Sequence, residues 1–225
     1  MFFFDQTMLL LIPAVLLSVY AQWKVKSTFQ KYSQVSGSRG LSGAQAADVL
    51  ARRENVPVSI RPGQGFLSDH FDPGSNSLVL SPEVYNGRSL ASLGVAAHEL
   101  GHALQKKHGY APLKLRSGLV PLANFGSQLS MFLFIAGIFA HIEVLQTAGI
   151  LLFSLAVLFT LVTLPVEFDA SARAVKLLQA HGIVSESELP GVKKVLNAAA
   201  LTYVGAAVMA LTQLLRLILI ARSDD

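Results

Sequence analysis

The chain contains no cysteine. Disulfides and thiolate metal sites are therefore excluded, and any bound metal must rest on histidine and carboxylate ligands. Charge is scarce as well: Asp, Glu, Lys and Arg make up 14% of the 225 residues, against 52% apolar residues and a mean hydropathy of +0.50. A soluble domain carries roughly 25% charged residues, so bilayer spans are expected instead. No basic run is interleaved with aromatics, so the net charge of +4 and the pI near 9.4 do not point to nucleic acid. An ion carrier is also disfavoured. It would need ionisable groups inside its spans, and the last three apolar stretches hold only Arg216, near an end.

Four apolar stretches are long enough to cross a bilayer: Phe2 to Ala21, Leu119 to Ala140, Leu145 to Pro165, and Ala198 to Ile220. The first carries Asp5 and no Lys or Arg in its leading part, with Lys24, Lys26 and Lys31 after it, the reverse of a signal peptide, so a retained first helix is expected. Of the 18 Lys and Arg, 12 lie between the first and second spans, none between the second and third, 4 between the third and fourth, and 2 at the end of the fourth. The positive-inside rule then puts the first and third connections in the cytoplasm and both termini outside.

Between the first two spans lies a hydrophilic body. Ser42 is placed to cap a helix over Ala44 to Arg53, and Val58 to Ile60 reads as a short strand. Two short apolar runs around Pro73-Gly74 read as a hairpin, with Ser77 to Leu80 as the candidate open edge for an extended peptide. Ser81-Pro82-Glu83 reads as the start of a short helix.

The chemistry concentrates in Gly94-Val-Ala-Ala-His98-Glu99-Leu-Gly-His102-Ala-Leu-Gln105. On a helix, His98 and His102 fall one turn apart on one face, where both imidazoles can reach one zinc ion. Glu99 lies beside them, as the base of a hydrolytic reaction should. Two histidines packed in the core of an ordinary helix would show the same spacing. Ser89 as a cap, an apolar stripe of Leu90, Leu93 and Ala97, and Gly109 with Pro112 as a stop all frame this helix. Small residues at Gly94, Ala96, Ala97 and Gly101 leave room for another helix.

A catalytic zinc needs a third protein ligand. His108 lies six residues beyond His102, but Gln105 stands where the extended motif needs a turning glycine. Glu167, just past the third span, is the favoured candidate, because a carboxylate at the end of a span is costly unless paired or metal-bound. His70, Asp69 and Asp72 also compete, although an Asp before Pro-Gly is commonly turn chemistry. His70, Tyr110 and Arg173 are eligible to stabilise an oxyanion, and Asp169 or Ser171 to support a ligand imidazole. Asp169 and Arg173 can also simply pair along a helix.

The blocks Leu67-Ser-Asp-His-Phe-Asp-Pro73, Leu80-Ser-Pro-Glu-Val-Tyr85, Gly87-Arg-Ser-Leu90, the motif helix and Leu164-Pro-Val-Glu-Phe-Asp-Ala-Ser171 together resemble the YugP family of bacterial zinc-dependent membrane peptidases. The layout is more distantly similar to the HtpX and CAAX prenyl proteases. The resemblance implies His98, His102 and Glu167 as ligands and Glu99 as base, with Ser171 replacing an aspartate of the distant relatives. The expected architecture is a mainly α integral membrane protein of four transmembrane helices, with a small α+β zinc-peptidase insertion carrying a β-hairpin before the His-Glu-x-x-His helix. Its parts would be a first span (1–22), a cytoplasmic metallopeptidase region (23–118), a helical hairpin (119–165), a cytoplasmic helix and connector with the third ligand (166–197), and a last span with its tail (198–225). The expected setting is the bacterial cytoplasmic membrane with the site facing inwards, and the expected partners are a polypeptide substrate and the lipid bilayer. A zinc protein that binds clients without cleaving them is the rival reading.

Overall fold

The computed structural model describes residues 6–223, so the part of the first apolar stretch before Gln6, with Asp5, lies outside the described residues, as do Asp224 and Asp225. A 3-10 turn (Gln6–Leu10) leads into α1 (Leu11–Ser33), followed by α2 (Gly43–Arg53), β1 (Ser59–Pro62), β2 (His70–Asp72), β3 (Ser77–Leu80), α3 (Pro82–Tyr85), α4 (Leu90–Lys107), α5 (Ala111–Ala140), α6 (Glu143–Ala180) and α7 (Leu189–Ser223). Helices α1, α5, α6 and α7 are long and apolar enough to cross a membrane. The protein is a mainly α membrane protein with one small sheet.

The chain divides into two compact units. The first comprises Met1–Gln22, Lys114–Pro165 and Thr202–Asp225. Many of its large side chains point outward, Phe125, Phe132 and Phe139 on α5 being 70%, 68% and 71% exposed, while Phe134, Ile138 and Leu217 form a small buried cluster. That distribution suits a surface solvated by lipid rather than water. Contacts inside the unit are close where residues are small. A side chain at Gly149 would come within 2.7 Å of the Ser130 carbonyl, so α5 and α6 can approach backbone to backbone there. Ser18, Gln22, Phe153, Thr202 and Gln213 help line a cavity of about 540 Å³ within this unit.

The second unit, Trp23–Leu113 and Val166–Leu201, holds a conventional apolar core. Leu50, Leu78, Leu80, Leu93, Leu100, Leu178 and Val192 are buried within it. The Ser42 cap forms as expected and extends to a full capping box: its side chain accepts from Gln45 N, and the Gln45 side chain accepts from Ser42 N.

The sheet corrects one expectation. The hairpin forms, with His70 paired to Val79 and Asp72 to Ser77 in antiparallel register. But β1 joins the far side of β3 in parallel, giving the order β1-β3-β2. Ser77 to Leu80 is therefore the central strand and cannot be the open edge. Its buried pattern gives the reason: Leu78 and Leu80 are fully buried, and only a strand flanked on both sides satisfies its backbone in such a place. The edges are β1 and β2.

The second correction concerns Glu167. It does not begin a helix of its own, because α6 runs unbroken from Glu143 to Ala180 with Pro165 inside it. Proline removes one helical donor and usually ends or kinks a helix. Here the residues that follow, Val166, Glu167, Ala170 and Ala174, form one buried face and keep the helix packed beyond it.

Candidate metal centre

Helix α4 is nucleated where the sequence suggests. The Ser89 side chain accepts from Ser92 N, and the Ser92 hydroxyl in turn donates to the Glu83 carbonyl, tying the helix start to α3. Along its length α4 is buried on almost every side, as expected of a helix packed within a core. The close partner is the segment of α6 after Pro165. A Cβ at Gly101 would lie 2.6 Å from the Ala170 carbonyl, so glycine is required for the two backbones to approach this closely.

That approach brings His98, His102 and Glu167 together. The Glu167 Oε2 lies 3.2 Å from His98 Nε2 and 3.6 Å from His102 Nε2, and the two rings meet edge to face at 4.7 Å. All three offer a ligand atom within 4.8 Å of one another. Zinc bonds of about 2.0–2.1 Å in tetrahedral geometry place ligand atoms about 3.4 Å apart. The two distances to Glu167 bracket that value, and the set of two nitrogens and one oxygen without sulfur is that of a catalytic zinc with a fourth position for water. The residues fit zinc.

A layer of polar groups stands behind these three side chains. Ser171 Oγ is 3.1 Å from His98 Nδ1. Gln105, fully buried, places Oε1 3.0 Å from His102 Nδ1 and donates from Nε2 to both the Val166 carbonyl and Asp169 Oδ2 at 2.8 Å. Asp169 also accepts from Arg173 Nε at 2.5 Å. Ser171 thus touches the His98 ring directly, and Asp169 reaches the His102 ring only through Gln105. In the sequence Gln105 stands out only as the residue in place of the turning glycine. The available signal was an amide three residues beyond His102 on the same helical face.

Glu99 is 7% exposed, and its charge acts on two neighbours. Burial alone would push His102 down, but hydrogen bonding to Glu167 and the charges of Glu99 and Glu167 hold the imidazole above its usual pKa. Burial pushes the Asp69 carboxyl up and the Glu99 charge adds to it, against the Ser81 hydrogen bonds.

The other candidates each make contacts of their own. Asp69 accepts from the Ser81 backbone at 2.7 Å and its hydroxyl at 3.0 Å, fastening β2 to the start of α3. Asp72 caps its own turn, accepting from the Ser75 hydroxyl and the Gly74 amide, which hold its carboxyl below the usual range. His108 closes α4 as its C-cap, with Nδ1 3.1 Å from Arg173 Nη1. His70 is exposed on β2 with Nδ1 2.8 Å from the Ser68 carbonyl. Arg173 also lies over the Tyr110 ring, 5.7 Å from its centroid.

The model of a protein family described as "Putative neutral zinc metallopeptidase" matches residues 7–222. The chain belongs to this family. The chain is also 46% identical over 212 residues, 94% of each chain, to "Putative membrane protease YugP" of Bacillus subtilis (strain 168). No solved structure matches. Family membership agrees with the donor set: zinc is the cofactor, and His98, His102 and Glu167 are the group that could hold it.

Proposed function

We propose that this protein is a zinc-dependent endopeptidase in which His98, His102 and Glu167 bind the metal and Glu99 is the general base. The observation that carries the reading is the convergence of three ligand atoms from α4 and α6 within 4.8 Å, with Glu99 in the same turn of α4. Zinc, when bound, supplies polarisation of a water molecule and of the scissile carbonyl. Glu99 accepts a proton from the water as its oxygen adds to the carbonyl carbon, and delivers that proton to the amide nitrogen as the C–N bond breaks. Burial of Glu99 keeps bulk water from competing for the proton.

His70 is our candidate for steadying the carbonyl oxygen. With Nδ1 donating to Ser68, its Nε2 can donate only from the protonated ring. The outer edge of β2, rather than the central β3, is the strand that holds an extended substrate, since Asp69, immediately before β2, senses the charge of Glu99.

The distribution of Lys and Arg supports a site on the cytoplasmic side of a bacterial inner membrane. Residues 23–118 and 166–197 then form the metallopeptidase region, and 1–22, 119–165 and 198–225 the spans. The substrates would be polypeptides in the cytoplasm or at the membrane edge, and removal of damaged membrane proteins is the matching role. The test is cleavage of a denatured polypeptide by zinc-loaded protein in detergent. Wild type should cut it, and Glu99→Gln should retain zinc and cut nothing. A wild type that binds zinc and cleaves no polypeptide would support a client-binding protein instead.

A further inference from the structure

We propose that Gln105 is a positioning residue that relays the Asp169–Arg173 ion pair to His102 and so fixes which ring nitrogen faces the metal. The reasoning turns on which partners can only accept. The Val166 carbonyl and the Asp169 carboxylate both lie 2.8 Å from one end of the Gln105 amide, and neither has a proton to give. That end must be the NH2 group. The other end is the carbonyl oxygen, which faces His102 Nδ1 at 3.0 Å and can only accept. A neutral His102 therefore carries its proton on Nδ1 and presents the Nε2 lone pair towards Glu167, the side on which a shared ion would sit.

The same chain of bonds conveys charge. Asp169, held by Arg173 Nε, polarises the amide, and the amide strengthens its hold on the imidazole N–H, making Nε2 the better donor. His98 is backed by the neutral Ser171 hydroxyl alone, so the two ligands are unequal. Arg173 accordingly acts through Asp169 and Gln105. The relay rests on the assignment of His98, His102 and Glu167 as zinc ligands, but its tests read tautomer and metal affinity rather than peptidase activity.

In metal-free protein at a pH where the ring is neutral, nitrogen-15 NMR should find the His102 proton on Nδ1; the Nε2–H tautomer would overturn the relay without any variant. Zinc affinity, measured by chelator competition, should fall about ten- to a hundredfold in Gln105→Met. Asp169→Asn should cost several-fold in the wild-type background and nothing further in the Gln105→Met background. An equal cost of Asp169→Asn in both backgrounds, or unchanged zinc affinity in Gln105→Met, would overturn the relay alone. A wild type that holds no zinc would overturn the ligand assignment as well.

Discussion

The two units use the same apolar residue types in opposite ways. In the unit built from Met1–Gln22, Lys114–Pro165 and Thr202–Asp225, Phe125, Phe132 and Phe139 sit on the outside, the buried apolar cluster is small (Phe134, Ile138 and Leu217), and glycine and serine line helix contacts. In the other unit leucine and valine fill the interior, and buried Gln105, His102 and Glu167 join His98 and Asp169 in one connected polar network. The difference suits a first unit solvated by hydrocarbon, where apolar burial drives little, and a second solvated by water, where an apolar core can offset the desolvation of a metal site.

The largest expected effect tests the chemistry that only the second unit carries. Glu99→Gln should lower peptide cleavage by at least about 10²–10⁴-fold with zinc content unchanged, measured on the purified protein in detergent. Loss of zinc in that variant would mean that Glu99 serves as a ligand.

Next come paired substitutions that contrast the interiors. Leu100→Ala, in the buried core, should destabilise by about 2–5 kcal/mol, whereas Phe132→Ala, 68% exposed, should change the unfolding midpoint in detergent far less. Equal effects would erase the contrast. Gly101→Ala should force α4 from Ala170 and cost about 1–3 kcal/mol together with zinc affinity. Gly118→Ala, which meets nothing within 4 Å, should be neutral or slightly stabilising.

The pH dependence separates metal-free from zinc-loaded protein. Because Glu167 and Glu99 hold His102 above its usual value in the metal-free site, protonation there adds stability that is complete below the unfolded pKa of about 6.5 and is lost as pH rises through the higher folded value. Zinc binding must displace that proton, so affinity should fall with decreasing pH, beginning above pH ~6.5. Calorimetric titration at several pH values reads both the affinity and the proton release. Among changes around the metal site the smallest is Ser171→Ala, which removes a single neutral hydrogen bond from His98 and should weaken zinc binding by about 0.5–1.5 kcal/mol.

Much of this was legible in the chain because it depends on local spacing. The four spans follow from length and hydropathy, the Ser42 and Ser89 caps from residue type, and the histidine pair from a four-residue interval. The position of Glu167 could be inferred because a carboxylate at the end of a span needs a partner. What was hidden depends on contacts distant in sequence. Nothing local says that β1 pairs with β3 across the hairpin, and Pro165 reads as a helix end unless the packing of Val166 and Ala170 on α4 is known. Gln105 is silent for a related reason: its partners Val166 and Asp169 lie more than sixty residues away.

The central claim is that a histidine pair on α4 and a carboxylate on α6 share one ion. X-ray absorption at the zinc edge tests it most directly on the purified, zinc-loaded protein. Two imidazole nitrogens and oxygen ligands at about 2.0–2.2 Å are the predicted shell. A shell of three imidazoles, which would bring in His70 or His108, or one unchanged in Glu167→Gln, would contradict the account.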